Sequence, residues 1–419
     1  MIIPRLALKS LLNRGGMVVL TIFCIALSVM LLIGVDKVRE GVRSSFAGTV
    51  SGTDLIVGAR SGSVQLMLYS VFRIGDAPNN FTWATYQELA AHPDVAWIVP
   101  ISLGDSHRGF RVVGTTPDYF TQLRFRDDNA MRFAEGAPFA DLFDIVLGAS
   151  VAETLGYRLG DEIVVGHGLG SVSLAEHANR PFRVSGILAP TGTPIDKSLH
   201  VSLAAIEAIH VDWESGGVPT GPGTSVEAIR DMALEPRTVT AAFLGLRSPI
   251  STFTLQRVIN QYPDEALSAV VPGLALLELW SITEIIETGL QIVTVFVVLT
   301  AIIGMVATIL AMLNDRRREM AILRAVGASP RHIFGLLVAE AVFMGVCGTL
   351  LGGLGAYAAI ALLGPAIDRS FGIALEIAAP GAQEAAMMGL VILAAALAGL
   401  VPAFKAYRNS LADGVAVRN

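Results

Sequence analysis

The stretch Asn314–Arg331, NDRRREMAILRAVGASPR, places five arginines between two long apolar runs. Before it, Thr288 to Asn314 holds 27 residues without a charge, and after it Ile333 to Gly364 is interrupted once, by Glu340. Each run exceeds the roughly 20 residues that cross a bilayer core as a helix. A short basic segment between two such runs belongs on the cytoplasmic side. Its own pattern is helical, so the chain presents a charged helix just inside a membrane, a surface suited to docking a partner.

Two further runs complete the count. Gly15 to Val35 holds 21 uncharged residues and Ala385 to Phe404 holds 20. The composition agrees, with 53% hydrophobic and only 16% charged residues and a mean hydropathy of +0.60; soluble domains are far more charged. The expected fold is an α-helical membrane protein with four transmembrane helices, one N-terminal and three C-terminal. A large mixed α/β extracytoplasmic domain is inserted between the first and second spans. The segments are a cytoplasmic 1–14, spans at 15–35, 285–313, 332–364 and 385–404, an outer domain at 36–284, an inner loop at 314–331, an outer loop at 365–384 and a tail at 405–419.

Charge sets the orientation. Arg5, Lys9 and Arg14, the five loop arginines, and Lys405, Arg408 and Arg418 put eleven basic residues on one side, against Asp315, Glu319 and Asp413. Both termini are therefore expected in the cytoplasm. A net of +8 inside, within a total of −6, leaves −14 for the rest. An acidic outer domain does not fit nucleic-acid binding, whereas the basic inner pieces suit anionic membrane lipid. The first run is longer than a secretory h-region and no clear A-x-A site follows, so it reads as an uncleaved anchor. Cys24 and Cys347 both fall in spans, which leaves no disulfide framework outside.

The outer domain alternates strands and helices. Thr82 reads as an N-cap for a helix to about Ala91, Ser150 for one to Leu155 and Ser202 for one to Ile209. Strands are expected at Val95 to Ile101, Phe110 to Val113, Asp144 to Leu147, Glu162 to Val165, Phe182 to Leu188, Leu199 to Val201, Thr238 to Leu246 and Ala266 to Val271. A short helical turn is expected at Asp118 to Gln122 and a helix at Ser251 to Gln261. Gly216 to Gly223 is a Gly/Pro loop. From Leu274 a helical pattern runs unbroken into the second span, a lever suited to carrying force.

The stretch RRREMAILRAVGASPRHIFGLLVAEAVFMGVCGTLLGGLGAY, from Arg316, resembles the permease signature of the MacB/FtsX/LolCE group, the membrane subunits of type VII ABC transporters. The opening ALKSLLNRGGMVVLTIFCIALSVMLLI and the closing VPAFKAYRNSLADGV resemble the first span and the end of the same family. Within the outer domain FRVVGTTPDYF, IVLGASVAETLGYRLGDEIVV and FRVSGILAPTGTPIDKSLHVSL resemble its periplasmic core. Asp54 to Asn80 departs from the pattern.

The resemblance implies a bacterial inner-membrane subunit that works as a pair, most simply a homodimer. It implies a separate cytoplasmic ATPase contacted through the inner loop, where Arg316, Arg317, Arg318, Glu319, Met320, Ile322, Leu323, Arg324 and Gly327 are the coupling candidates. This sequence has no G-x-x-x-x-G-K-[ST], so ATP and Mg belong on the partner and this chain is expected to bind no cofactor and to be no enzyme. A periplasmic adaptor or substrate-binding protein is a further expected partner. The implied role is efflux or extrusion driven by movement of the outer domain. The rival roles are activation of a cell-wall enzyme and lipoprotein release. The resemblance also implies two lobes outside, about 38–99 plus 237–273, and 100–236.

Other features are weighed on their chemistry. Gly345, Gly348, Gly352 and Gly353 let helices approach closely, within or between copies. His167, His177, His200 and His210, with Asp212, fall in one region but lack zinc spacing, so no metal site is expected. No H-E-x-x-H or G-x-S-x-G set supports catalysis. Val64 to Ile74, VQLMLYSVFRI, is apolar enough to be an interaction surface, with Leu66, Leu68 and Phe72 as its candidates, or an ordinary core segment.

Overall fold

The structure, a computed structural model, describes residues 15–126, 128–168, 175–176, 180–212, 224–315, 320, 327–371, 373, 375 and 377–415. The chain divides into two compact units. One comprises Met1–Gly41, Glu284–Ala366 and Leu375–Asn419, the other Val42–Thr283 with Ile367–Ala374.

The first unit is built on the larger part of helices Gly15–Gly48, Pro272–Asp315 and Pro330–Phe371, whose ends 42–48, 272–283 and 367–371 group with the second unit, and on helix Ala382–Val415. All four are long and apolar enough to cross a membrane. Each outlasts its apolar run. The first continues past Asp36 to Gly48, and the second starts at Pro272, where proline's missing N–H costs nothing at a helix start. Ile25, Val29, Ile33, Met305, Ile309, Ala341, Met344 and Ala395 form the bundle core. Leu354 and Leu362 stay 69% and 80% exposed, apolar surface that suits lipid.

The second unit carries one large sheet. Its strands run in the order Leu267–Val270, Leu55–Ala59, Ala241–Leu246, Val95–His107, Phe110–Thr115, Ser198–Ser202, Asp144–Leu147, Phe182–Leu188 and Phe133–Gly136. Separate lobes are therefore the wrong description. The 13-residue strand Val95–His107 belongs to both proposed halves. Its first part pairs with Ala241–Leu246 and its second with Phe110–Thr115, so hydrogen bonding runs through the division. Pleat alternation then sorts the cores. Leu55 and Val57 face a cluster with Leu244, Leu255 and Ile259, while Ile56 faces one with Leu66, Val99, Val113 and Phe243. A third cluster gathers Val112, Ile145, Leu147, Val201 and Ile209.

Local chemistry explains most element ends. Thr82 Oγ1 accepts from the Thr85 N–H at 3.3 Å and Ser202 Oγ from the Ala205 N–H at 3.0 Å, as N-caps should. The helix expected to begin after Ser150 instead spans Ala149–Leu155 and follows Gly148. A Cβ at Gly148 would lie 2.4 Å from the Ile195 carbonyl oxygen, so the close approach requires glycine there. The strand expected over Thr238 to Leu246 breaks at Thr240, whose Oγ1 accepts from the Leu103 N–H at 3.0 Å. The Gly216 to Gly223 loop lies outside the described residues, which resume at Thr224.

Of the two readings of Val64 to Ile74, interaction surface or core segment, the burial of its candidates supports the core segment. Ser63–Ser70 is a helix, with Leu66 fully buried, Phe72 6% exposed and Leu68 half-buried on the same core. Gly58 is the reason. A Cβ there would come within 2.8 Å of Leu66 Cδ1 and 2.7 Å of the Tyr69 hydroxyl, so a bare strand position lets the helix settle onto the sheet. Ile74, 55% exposed, points out of this core.

Candidate functional site

Of the coupling candidates, Arg316, Arg317, Arg318, Glu319, Ile322, Leu323 and Arg324 lie outside the described residues. Met320 is helical and half-buried against the bundle core. Gly327 is exposed with φ +97°, a left-handed conformation in which a side chain would be strained. The next helix starts at Pro330, and Ser329 Oγ lies 2.7 Å from His332 Nδ1 while the His332 N–H bonds the Ser329 carbonyl at 2.9 Å. A left-handed glycine turn thus stands three residues before the helix that carries the third span.

The packing glycines lie on that third helix. A Cβ at Gly348 would stand 2.6 Å from Ile25 Cγ2, and one at Gly352 would stand 2.5 Å from the Ala26 carbonyl oxygen, both on the first span. At Gly345 it would stand 2.7 Å from Ala395 Cβ of the fourth span, and at Gly353 3.4 Å from Met388 Cε. Helix three therefore touches helices one and four at near-backbone distance, where dispersion contacts are densest. Glu340, on the same helix, is buried.

A charged cluster joins the same helices. Lys37 Nζ lies 2.6 Å from Glu384 Oε1, and the Tyr357 hydroxyl donates to Glu384 Oε2 at 2.5 Å. Lys37 also lies 5.7 Å from the centre of the Tyr357 ring. Arg39 reaches Glu287 on helix two at 3.8 Å. Sequence reasoning passed over this cluster. The available signal was opposite charge, Asp36–Lys37 just after the first apolar run and Glu384 just before the fourth.

The outer-domain histidines do not act together. His200 is fully buried between Tyr119 and Phe120, with ring centres at 4.9 and 5.7 Å. Burial, reinforced by the nearby Arg73 charge, lowers its imidazole to about 3. His210 Nδ1 contacts the Ile206 carbonyl at 2.7 Å, and its Nε2 lies 3.7 Å from Asp105. Asp212 is held by Thr224 and the buried Arg180, and its carboxyl is kept low by the Thr224 hydroxyl first and Arg180 after it. The His167 side chain and His177 lie outside the described residues. Among the described residues, no three His, Cys, Asp or Glu side chains converge on a metal-sized site.

Two protein families match successive parts of this chain. The MacB-like periplasmic core domain family matches residues 18–235. The FtsX-like permease C-terminal family matches residues 291–411. A lipoprotein-releasing system transmembrane protein, LolC of Neisseria meningitidis, is 24% identical over 276 residues, 63% of this chain and 59% of the relative, so the chain spans under two thirds of that protein. The periplasmic region of MacB from Actinobacillus actinomycetemcomitans is 12% identical, with a TM-score of 0.33 over 57% of this chain and 95% of that one. The extracellular domain of the noncanonic ABC-type transporter YknZ from Gram-positive bacteria is 14% identical, with a TM-score of 0.29 over 52% of this chain and 98% of that one.

Proposed function

This chain belongs to the family of type VII ABC transporter permeases that join a MacB-like periplasmic core to an FtsX-like C-terminal region, and from that premise we propose that it turns cytoplasmic ATP hydrolysis into movement of its outer domain. A separate ATPase docks on the inner loop, with ATP and Mg bound there. The termini lie in the cytoplasm and the acidic domain in the periplasm. Two copies assemble, and the stroke extrudes a substrate from the inner membrane or periplasm. The observation that carries the reading is the inner loop itself: five arginines between the second and third spans, inside the region matched to the permease family. Long helices support transmission, since Pro272–Asp315 is one uninterrupted helix. The likeness to a lipoprotein-releasing protein favours a second reading, release of lipid-anchored cargo.

Arg324→Glu and Gly327→Pro test the docking. Proline cannot adopt the φ of +97° at Gly327, and glutamate reverses a docking charge. Both variants should insert in the membrane yet lose co-purification of the ATPase or uncouple its activity. Unchanged complex yield and ATPase rate in both would refute the reading.

A further inference from the structure

Arg126 sits in a place the functional reading does not account for. It follows the short strand Arg124–Phe125, which pairs with Asn129–Ala130, and occupies the tight turn between them with φ +32°, unusual for a residue with a side chain. This backbone points its N–H at the carbonyl of Gly48, the last residue of the first helix, at 2.7 Å. A carbonyl at a helix end has no partner within the helix, and it concentrates negative partial charge. The guanidinium leaves in another direction. Its Nη2 donates to the Gly192 carbonyl at 2.9 Å and lies 3.6 Å from Asp368 Oδ1. Asp368 stands in the last turn of helix Pro330–Phe371, and its neighbours Ile367–Ala374 group with the outer domain rather than with the spans.

The seat for this side chain is built. Gly192 has φ +64°, and a Cβ there would fall 1.8 Å from Arg126 Nη2, so any other residue would evict the guanidinium. At Gly48 a Cβ would fall 3.0 Å from Arg126 Cγ. Two glycines in distant parts of the sequence thus clear space for one arginine. The turn that receives it is stiff. The buried Asp196 carboxylate accepts from the Gly192 N–H at 2.7 Å, the Thr191 N–H at 2.9 Å and the Thr191 hydroxyl at 2.8 Å.

We infer that Arg126 is a positioning residue for coupling, a clasp that fixes the outer ends of the first and third span helices to the turn Thr191–Asp196 so that both move the outer domain together. The inference rests on the proposed stroke, but the clasp itself is measurable without it. The ion pair alone is half-exposed and weak. The strength lies in one residue serving three chain segments at once, so that each contact holds the others in place.

The test uses the full chain in lipid nanodiscs with its ATPase. Hydrogen exchange is followed over residues 367–374, with the core strand Phe182–Leu188 as a folding control. Arg126→Asp, which tolerates the left-handed turn, and Asp368→Arg should each speed exchange at 367–374 about three- to tenfold and lower the ATPase rate of the complex. The double variant should move both readings back towards the unaltered chain. Arg126→Lys, which keeps the charge but loses the fork, should fall between and covers the case in which Arg126→Asp fails to fold. Unchanged exchange in the folded variants overturns the clasp. Faster exchange with an unaltered ATPase rate overturns its part in coupling. If the unaltered chain binds no ATPase, the functional reading fails, while the exchange measurement still decides the clasp.

Discussion

Lys37 on the first span helix and Glu384 on the fourth meet at 2.6 Å, with side chains only 15% and 7% exposed. Ionisable side chains close to a membrane rarely sit buried without a partner. Here the carboxylate answers both the ammonium and the Tyr357 hydroxyl, so one group ties helices one, three and four.

Removing that carboxylate should loosen the bundle. Glu384→Ala leaves a buried ammonium and a phenol without their acceptor, a loss of about 1–3 kcal/mol. Tyr357→Phe removes one hydrogen bond and should cost about 1 kcal/mol. Thermal unfolding of the purified chain in detergent should rank the variants in that order. Equal melting temperatures for Glu384→Ala and the unaltered chain would show that the cluster does not hold the helices.

The glycine contacts predict an effect of opposite origin, crowding. Gly352→Ala pushes a methyl to within 2.5 Å of the Ala26 carbonyl oxygen, a backbone atom that cannot rotate away. Overpacking of this kind costs about 1–3 kcal/mol. Gly389→Ala is the control, because nothing lies within 4 Å of its built Cβ. Folded yield and melting temperature should fall for the first and hold for the second. A tolerated Gly352→Ala would mean that helices one and three are not packed this closely.

His200 gives the outer domain a predictable acid limb. Its folded imidazole ionises only near pH 3, whereas in the unfolded chain it takes a proton below about 6.5. The unfolded state then binds more protons, so stability is full above pH ~6.5 and falls as pH drops from there towards 3. Between about pH 6.5 and 4.5 the loss should reach about 2–3 kcal/mol. His200→Gln should lower stability throughout but flatten this limb, as read from unfolding of the full chain at several pH values. Parallel curves for the two proteins would reject the assignment.

The sequence by itself determined the membrane topology class and many of the outer elements. Four apolar runs have one physical meaning in a bilayer, because a backbone in hydrocarbon must satisfy its hydrogen bonds within a helix. Strands Asp144–Leu147 and Phe182–Leu188, and the caps at Thr82 and Ser202, were legible from alternation and side-chain chemistry. What only the tertiary structure decided depends on residues distant in the chain. Val64 to Ile74 reads equally as surface or core until Gly58 shows where its helix rests. Two lobes merge because one long strand pairs with a neighbour on each side. The meeting of Lys37 with Glu384, and of Arg126 with Gly48, Gly192 and Asp368, leaves no periodic trace, since a close contact constrains shape at single positions rather than pattern along a segment.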